Sequence, residues 1–117
     1  MRDFKQLIFW KRSHLLTLKI YQLAKTSFPK EEMFGLTSQI QRSSSSIPTN
    51  IAEGCGRNTN PDFRRFLVIA TGSSSELEYQ LLLAKDLGYI SDAMFKELSN
   101  EVIEIRKMLY SYIQTLS

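Results

Sequence analysis

The C-terminal stretch SDAMFKELSNEVIEIRKMLYSYIQTLS, residues 91–117, decides the fold class. Its apolar residues Met94, Leu98, Val102, Ile105, Leu109, Tyr112 and Leu116 are spaced 4, 4, 3, 4, 3 and 4 apart. That alternation holds them on one face of a 3.6-residue turn. The segment, opening at Ser91-Asp92, predicts an amphipathic helix with that face in a core.

Working back, Gly88 reads as the C-terminal stop of a third segment. That segment opens with Asn60-Pro61-Asp62, read as an N-cap, a proline in the first helical position and an acid near the positive end of the dipole. Its stripe is Phe63, Phe66, Leu67, Ala70, Leu77, Leu81, Ala84 and Leu87, interrupted by Gly72 and Ser73 to Ser75. The second segment carries Leu36, Ile40, Ser44, Ile47 and Ile51 on one stripe, with four small serines, Ser43 to Ser46, at its centre. Two patches of small residues at mid-helix predict close packing of an antiparallel pair. Pro48 removes a backbone donor and crowds the carbonyl of Ser44. A kinked but continuous helix is expected, the alternative being a break there. In the first segment Leu7, Trp10, His14, Thr17, Tyr21, Ala24 and Phe28 alternate by three and four, and Ile8, Leu15 and Leu18 widen the face. Phe28 before Pro29 marks its stop.

Four such helices, with no sustained period-two alternation and short connections, predict an all-α fold. The expected architecture is an antiparallel up-down-up-down four-helix bundle in a single domain, 1–117. The stretch around residues 54–60 reads as the longest loop.

Composition narrows the chemistry. One Cys and one His among 117 residues exclude a disulfide scaffold, a Cys-based zinc cluster and most nucleophile–base pairs. Gly54-Cys55-Gly56-Arg57 follows a helix and lacks the Lys-Ser/Thr end of a phosphate loop. Cys55 reads as an incidental loop cysteine and His14 as a packed or interface residue. Glu53, Glu76 and Glu78 lack the Glu-x-x-His pairs of di-metal bundles. No catalytic residue, metal or cofactor is expected. No apolar run approaches the ~20 residues of a membrane span, and the N-terminus does not read as a signal peptide. A cytoplasmic protein with no membrane partner is expected.

Two constellations remain. Gln39, Arg42, Ser46, Asn50, Glu53 and Arg57 form a wholly polar stripe on the second helix, each one turn from the next. These are hydrogen-bonding groups rather than a mixed Lys/Glu face. They read as a buried polar network closing with Glu76 or Gln80; the other reading is an RNA or partner surface. Charge is also segregated. Residues 1–28 hold six bases and one acid, whereas residues 74–104 hold seven acids and two bases. Lys5, Arg12 and Lys19, seven apart, stack as a basic ridge.

The run Ser46-Ile47-Pro48-Thr49-Asn50-Ile51-Ala52-Glu53-Gly54, followed by Arg57, carries a resemblance. With Tyr21, Phe28-Pro29, Phe34-Gly35-Leu36, Gln39, Arg42, Phe66-Leu67, Gly72-Ser73, Glu76-Leu77 and Leu87-Gly88-Tyr89, the chain resembles the four-helix-bundle proteins encoded in intervening sequences of bacterial 23S ribosomal RNA genes. These are similar in turn to the accessory variability determinant protein of diversity-generating retroelements. The resemblance implies a bundle that assembles into a ring, with a homopentamer the expected state, and no enzymatic activity. It also implies an association with RNA or with a nucleic-acid-processing protein. The wide apolar face of the first helix independently predicts an oligomer. If RNA binds, the expected contacts are Lys5, Lys11, Arg12, Lys19, Arg57, Arg64 and Arg65. The competing expectation is an oligomeric interaction scaffold, its basic first helix paired to the acidic stretch 74–104.

Overall fold

The computed structural model describes residues 2–116, so both ends of the expected 1–117 domain lie outside the described residues. Four helices carry the chain: α1 (Ile8–Ser27), α2 (Leu36–Cys55), α3 (Asn60–Asp86) and α4 (Asp92–Ile113). One-turn 3-10 helices at Phe4–Gln6 and Lys30–Glu32 lead into α1 and α2. No strand occurs among the described residues. Facing residues run in opposite directions: Ser43 meets Gln80, Ser46 meets Ser73, and Gly54 abuts Phe63. Likewise Arg12 meets Glu101, and Arg106 meets Glu78. Neighbours around the bundle therefore run α1, α2, α3, α4, each antiparallel to the next. The bundle measures 43 × 23 × 20 Å.

The α2 stripe is buried throughout, and the α4 stripe is buried except for half-buried Tyr112 and exposed Met94. On α3 the stripe is buried from Phe63 to Ala84, while Leu87 is exposed. The small patches meet as expected. Ser46 and Ser73 hydroxyls lie 2.7 Å apart. A Cβ on Gly54 would sit 2.9 Å from Phe63 Cδ1 and 3.0 Å from Phe66 Cβ, so only glycine permits this approach.

Helix α1 departs from the expected face. Phe9, Ser13, Leu16, Ile20 and Ala24 enter the core, whereas Ile8, Leu15, Leu18 and Tyr21 are exposed. Apolar residues surround this helix, so periodicity alone does not choose among registers. His14 is exposed and stacks on Trp10, ring centroids 5.1 Å apart and planes 8° from parallel.

Helix α2 runs unbroken through Pro48. The proline leaves the Ser44 carbonyl without its usual donor four residues on. Thr17 of α1 supplies a substitute: its hydroxyl lies 2.9 Å from Ser44 O, and 2.8 Å from its own-helix Ser13 O. A buried carbonyl is thus satisfied across helices, as buried backbone groups require.

Three local expectations change. Gly54 and Cys55 are buried in the last turn of α2, which shortens the α2–α3 link to residues 56–59 and leaves 28–35 as the longest connection. The cap of α3 is Thr59, whose hydroxyl accepts from the Asp62 N–H at 3.3 Å; Asn60 is already helical. Cys55 belongs to the core, not to a loop. At the other end of α3 Gly88, at φ 81°, lets its own N–H reach Lys85 O and the Tyr89 N–H reach Ala84 O, closing the helix as expected.

Candidate nucleic-acid interface

The basic ridge of α1 divides on folding. Lys5 lies in the 3-10 turn before the helix and is exposed, as are Lys11 and Lys19. Arg12 turns toward α4. Its Nε and Nη2 donate to the Glu101 carboxylate at 2.9 and 2.6 Å, a two-point pairing that raises the guanidinium pKa further. Lys19 and Glu97 both line a groove along the same α1–α4 seam. Part of the α1 charge is therefore matched by α4 within the chain, where Arg12 pairs with Glu101.

At the α2–α3 turn the basic residues gather. Arg57 and Arg65 place their guanidinium carbons 4.7 and 4.5 Å from the centre of the same Phe66 ring. Arg64 is exposed beside them on the first turns of α3. Arg2 approaches from the N-terminus, 4.2 Å above the Phe63 ring, and hydrogen-bonds Asn60. Its backbone N–H reaches Cys55 O at 3.4 Å. Folding thus brings residues 2, 57, 64 and 65 to one end of the bundle. In the sequence Arg2 is one more base of the N-terminal stretch, with nothing to mark it as a site residue. The readable signal is the pair Phe63 and Phe66 flanking Arg64-Arg65, because aromatic faces hold guanidinium planes.

A stacked guanidinium keeps its N–H edge free for a planar or tetrahedral anion. Arg57 currently pairs with Glu53 at 3.2 Å and Arg65 with Asp62 at 3.7 Å. Both pairs are solvent-exposed, and exposed pairs contribute only about 0–1 kcal/mol, so a phosphate displaces them at small cost. The positive end of α3 lies at the same turn.

This geometry sits on a fold with known relatives. The sequence profile of the 23S rRNA-intervening sequence proteins matches residues 5–111. The chain belongs to this family. Helices α1 to α3 lie wholly inside the match, as do Arg57, Arg64 and Arg65; Arg2 precedes it. Among solved structures the chain is similar to a protein of unknown function from the S23 ribosomal protein family of Bacteroides thetaiotaomicron, known at 1.70 Å. The two are 31% identical with a TM-score of 0.84, over 91% of this chain and 98% of the other. No curated protein matches the chain.

In this member of the 23S rRNA-intervening sequence family the polar stripe of α2 does not close into one network. Gln39 and Arg42 are exposed and 3.5 Å apart. Asn50 donates to the Ser46 hydroxyl at 2.9 Å, and Ser46 bonds Ser73, which links the stripe to α3. Glu53 and Arg57 pair on the surface. Glu76 accepts from Gln80 at 3.4 Å, and the buried α2–α3 polar bond is made instead by Ser43, 2.5 Å from Gln80 Oε1. The stripe lies at the edge of the helix interface, so only its small members reach inward.

Cys55 is buried, and that burial pushes its thiol pKa up, away from nucleophilic use. Among the described residues no cluster of three or more His, Cys, Asp or Glu is placed to hold a metal, and no helix is long and apolar enough to cross a membrane.

Proposed function

We propose that this protein is a non-enzymatic RNA-binding bundle, a cytoplasmic ribonucleoprotein accessory factor that holds phosphates of flexible RNA at its arginine end and works in several copies. The observation that carries the reading is the convergence of Arg2, Arg57 and Arg65 on the rings of Phe63 and Phe66, with Arg64 exposed on the same first turns of α3. Four arginines in one copy make few phosphate contacts. A ring of copies, with a pentamer the expected number, multiplies them and gives avidity. Phosphate contacts position a nucleic acid without reading its bases, so weak sequence preference is expected, with single-stranded RNA the favoured target. Each neutralised phosphate contributes a log–log salt slope of about −0.7 on single strands.

The test compares two triple variants on labelled single-stranded RNA at low salt. Replacing Arg57, Arg64 and Arg65 by Gln should weaken retention at least about tenfold and flatten the salt slope, the behaviour of lost phosphate contacts. Replacing Lys5, Lys11 and Lys19 by Gln should do markedly less. Equal losses, or no retention by the unaltered protein, would count against the arginine end.

A second reading is an oligomeric interaction scaffold without a nucleic-acid role, whose partner is a nucleic-acid-processing protein. It is favoured by Ile8, Leu15 and Leu18, which stand 61%, 59% and 54% exposed along one side of α1. Such an aliphatic row fits a protein contact and not a phosphate backbone.

A further inference from the structure

A row of aromatic rings lies along the outer α1–α2 seam. Trp10 and His14, one turn apart on α1, stack with planes 8° from parallel and centroids 5.1 Å apart. Phe4, in the 3-10 turn before the helix, closes the row with its centroid 4.8 Å from that of Trp10. Phe4 and Trp10 are half-buried and packed against the core, whereas His14 is exposed. The three rings line an open groove of about 320 Å³, faced from α2 by Pro48, Thr49 and Ala52. Because the core anchors Phe4 and Trp10 from behind, the rings hold their places without a ligand, and little order remains to be imposed on binding.

We propose that this groove is a nucleobase-stacking platform, on which a base of the single-stranded RNA held at the arginine end lies against the rings of Trp10 and His14. The platform rests on the RNA-binding reading and adds base contacts to its phosphate contacts. Charge selects this occupant. No carboxylate lines the groove, in contrast to the α1–α4 grooves with Glu97 and Glu101. The acids next to it in sequence are engaged: Asp3 accepts from the Lys5 N–H at 3.0 Å, and Glu53 pairs with Arg57 at 3.2 Å. The Lys5 ammonium stands 5.8 Å from the centre of the Phe4 ring. Position agrees as well. Arg2, two residues before Phe4, places its backbone N–H on Cys55 O. Arg57 lies five residues beyond Ala52, roughly 7.5 Å at the rise of a helix. A strand held by its phosphates at the arginine end therefore has the aromatic row next to it. Every base has a π-face, so stacking adds affinity without reading sequence, in keeping with phosphate-led binding. A proline-rich peptide also suits aromatic grooves, but it brings no charge to meet the basic surround.

Trp10 is the only tryptophan of the chain, so intrinsic tryptophan fluorescence reports on this groove alone. Titrating the full chain at low salt with a flexible oligouridylate should quench it. Linear polyphosphate with the same number of phosphates should bind without quenching. His14→Ala, at an exposed position, should weaken oligouridylate binding about fivefold or more, as loss of a stacking face does. Polyphosphate binding and the far-ultraviolet helix signal should not change. His14→Phe, which keeps an aromatic face, should restore the RNA affinity. Replacing Arg57, Arg64 and Arg65 by Gln should instead weaken the binding of both polymers. RNA bound without quenching, equal quenching by polyphosphate, or a loss that His14→Phe does not restore overturns the platform while leaving RNA binding at the arginine end intact. Quenching by a proline-rich peptide and not by RNA assigns the groove to a protein partner and overturns the platform too. Failure of the wild type to bind the oligouridylate at all overturns the proposed function, and the platform with it.

Discussion

Thr17 and Pro48 should be energetically coupled although they lie on different helices. Pro48 has no N–H, so the Ser44 carbonyl in the middle of α2 loses its intrahelical donor. Thr17 Oγ1 stands 2.9 Å from that oxygen, and Ser44 is buried. Thr17→Val keeps the β-branched shape and removes only the hydroxyl. A buried acceptor left without a partner costs about 1–3 kcal/mol. The hydroxyl is shared with Ser13 O and the added methyl is half-buried, so the lower part of that range, about 1–2 kcal/mol, is expected. For a domain of this size that corresponds to a fall in Tm of about 4 °C per kcal/mol. Restoring the backbone donor by Pro48→Ala should remove most of the penalty, because the N–H regained at position 48 then bonds Ser44 O and Thr17 is no longer needed. Urea unfolding of the wild type, both single variants and the double variant isolates the coupling, expected at about 1 kcal/mol. If Thr17→Val costs the same in both backgrounds, the cross-helix hydroxyl does not replace the missing donor and the account of the unbroken α2 is wrong.

Gly54→Ala should destabilise by about 1–3 kcal/mol as an overpacked core does, because the new methyl meets the Phe63 ring and the Phe66 Cβ. Gly72→Ala, with nothing within 4 Å of the added atom, should instead stabilise by about 0.5–1 kcal/mol; thermal melts of the two should shift in opposite directions. Cys55 should resist a thiol reagent at neutral pH in the native protein and react at the free-cysteine rate in denaturant; rapid native labelling would show that the α2 end is open. Glu32 is held below the usual carboxylate range, first by the Leu36 N–H and then by the Tyr89 hydroxyl. Its contribution is therefore complete above the ordinary carboxylate value of about 4.3 and is lost as pH falls through the lowered pKa. The Tyr89 phenol is raised by the same bond, so its share holds below about 10 and is lost as pH rises through the raised value. Tyr89→Phe should move the Glu32 titration, followed by carboxyl NMR, back toward the ordinary value; an unmoved titration would contradict the clasp.

The bundle is legible wherever one helix face is clearly apolar. The stripes of α2 and α4 read from spacing match the buried residues closely, and the serine patches of α2 and α3 meet as their size suggests. On α1 spacing picks the wrong neighbours, since Ile8, Leu15 and Leu18 are as apolar as Phe9, Leu16 and Ile20, and only packing against α2 and α4 decides which enter. The site is harder to read. Arg12 looks like its ridge neighbours in the sequence, and only the fold brings Glu101, 89 positions away, against it. Arg2 joins Arg57 and Arg65 only through tertiary contact with Phe63. The Thr17–Ser44 bond is half legible, because Pro48 announces the orphan carbonyl but not the helix that answers it.

The arginine end is tested most directly by ultraviolet cross-linking of single-stranded RNA to the wild-type protein at low salt, with mass mapping of the attached peptide. Attachment is predicted within residues 57–66, between Arg57 and Phe66, and should disappear at high salt as phosphate contacts are screened. No cross-link at low salt, or attachment confined to α4, would contradict the assignment.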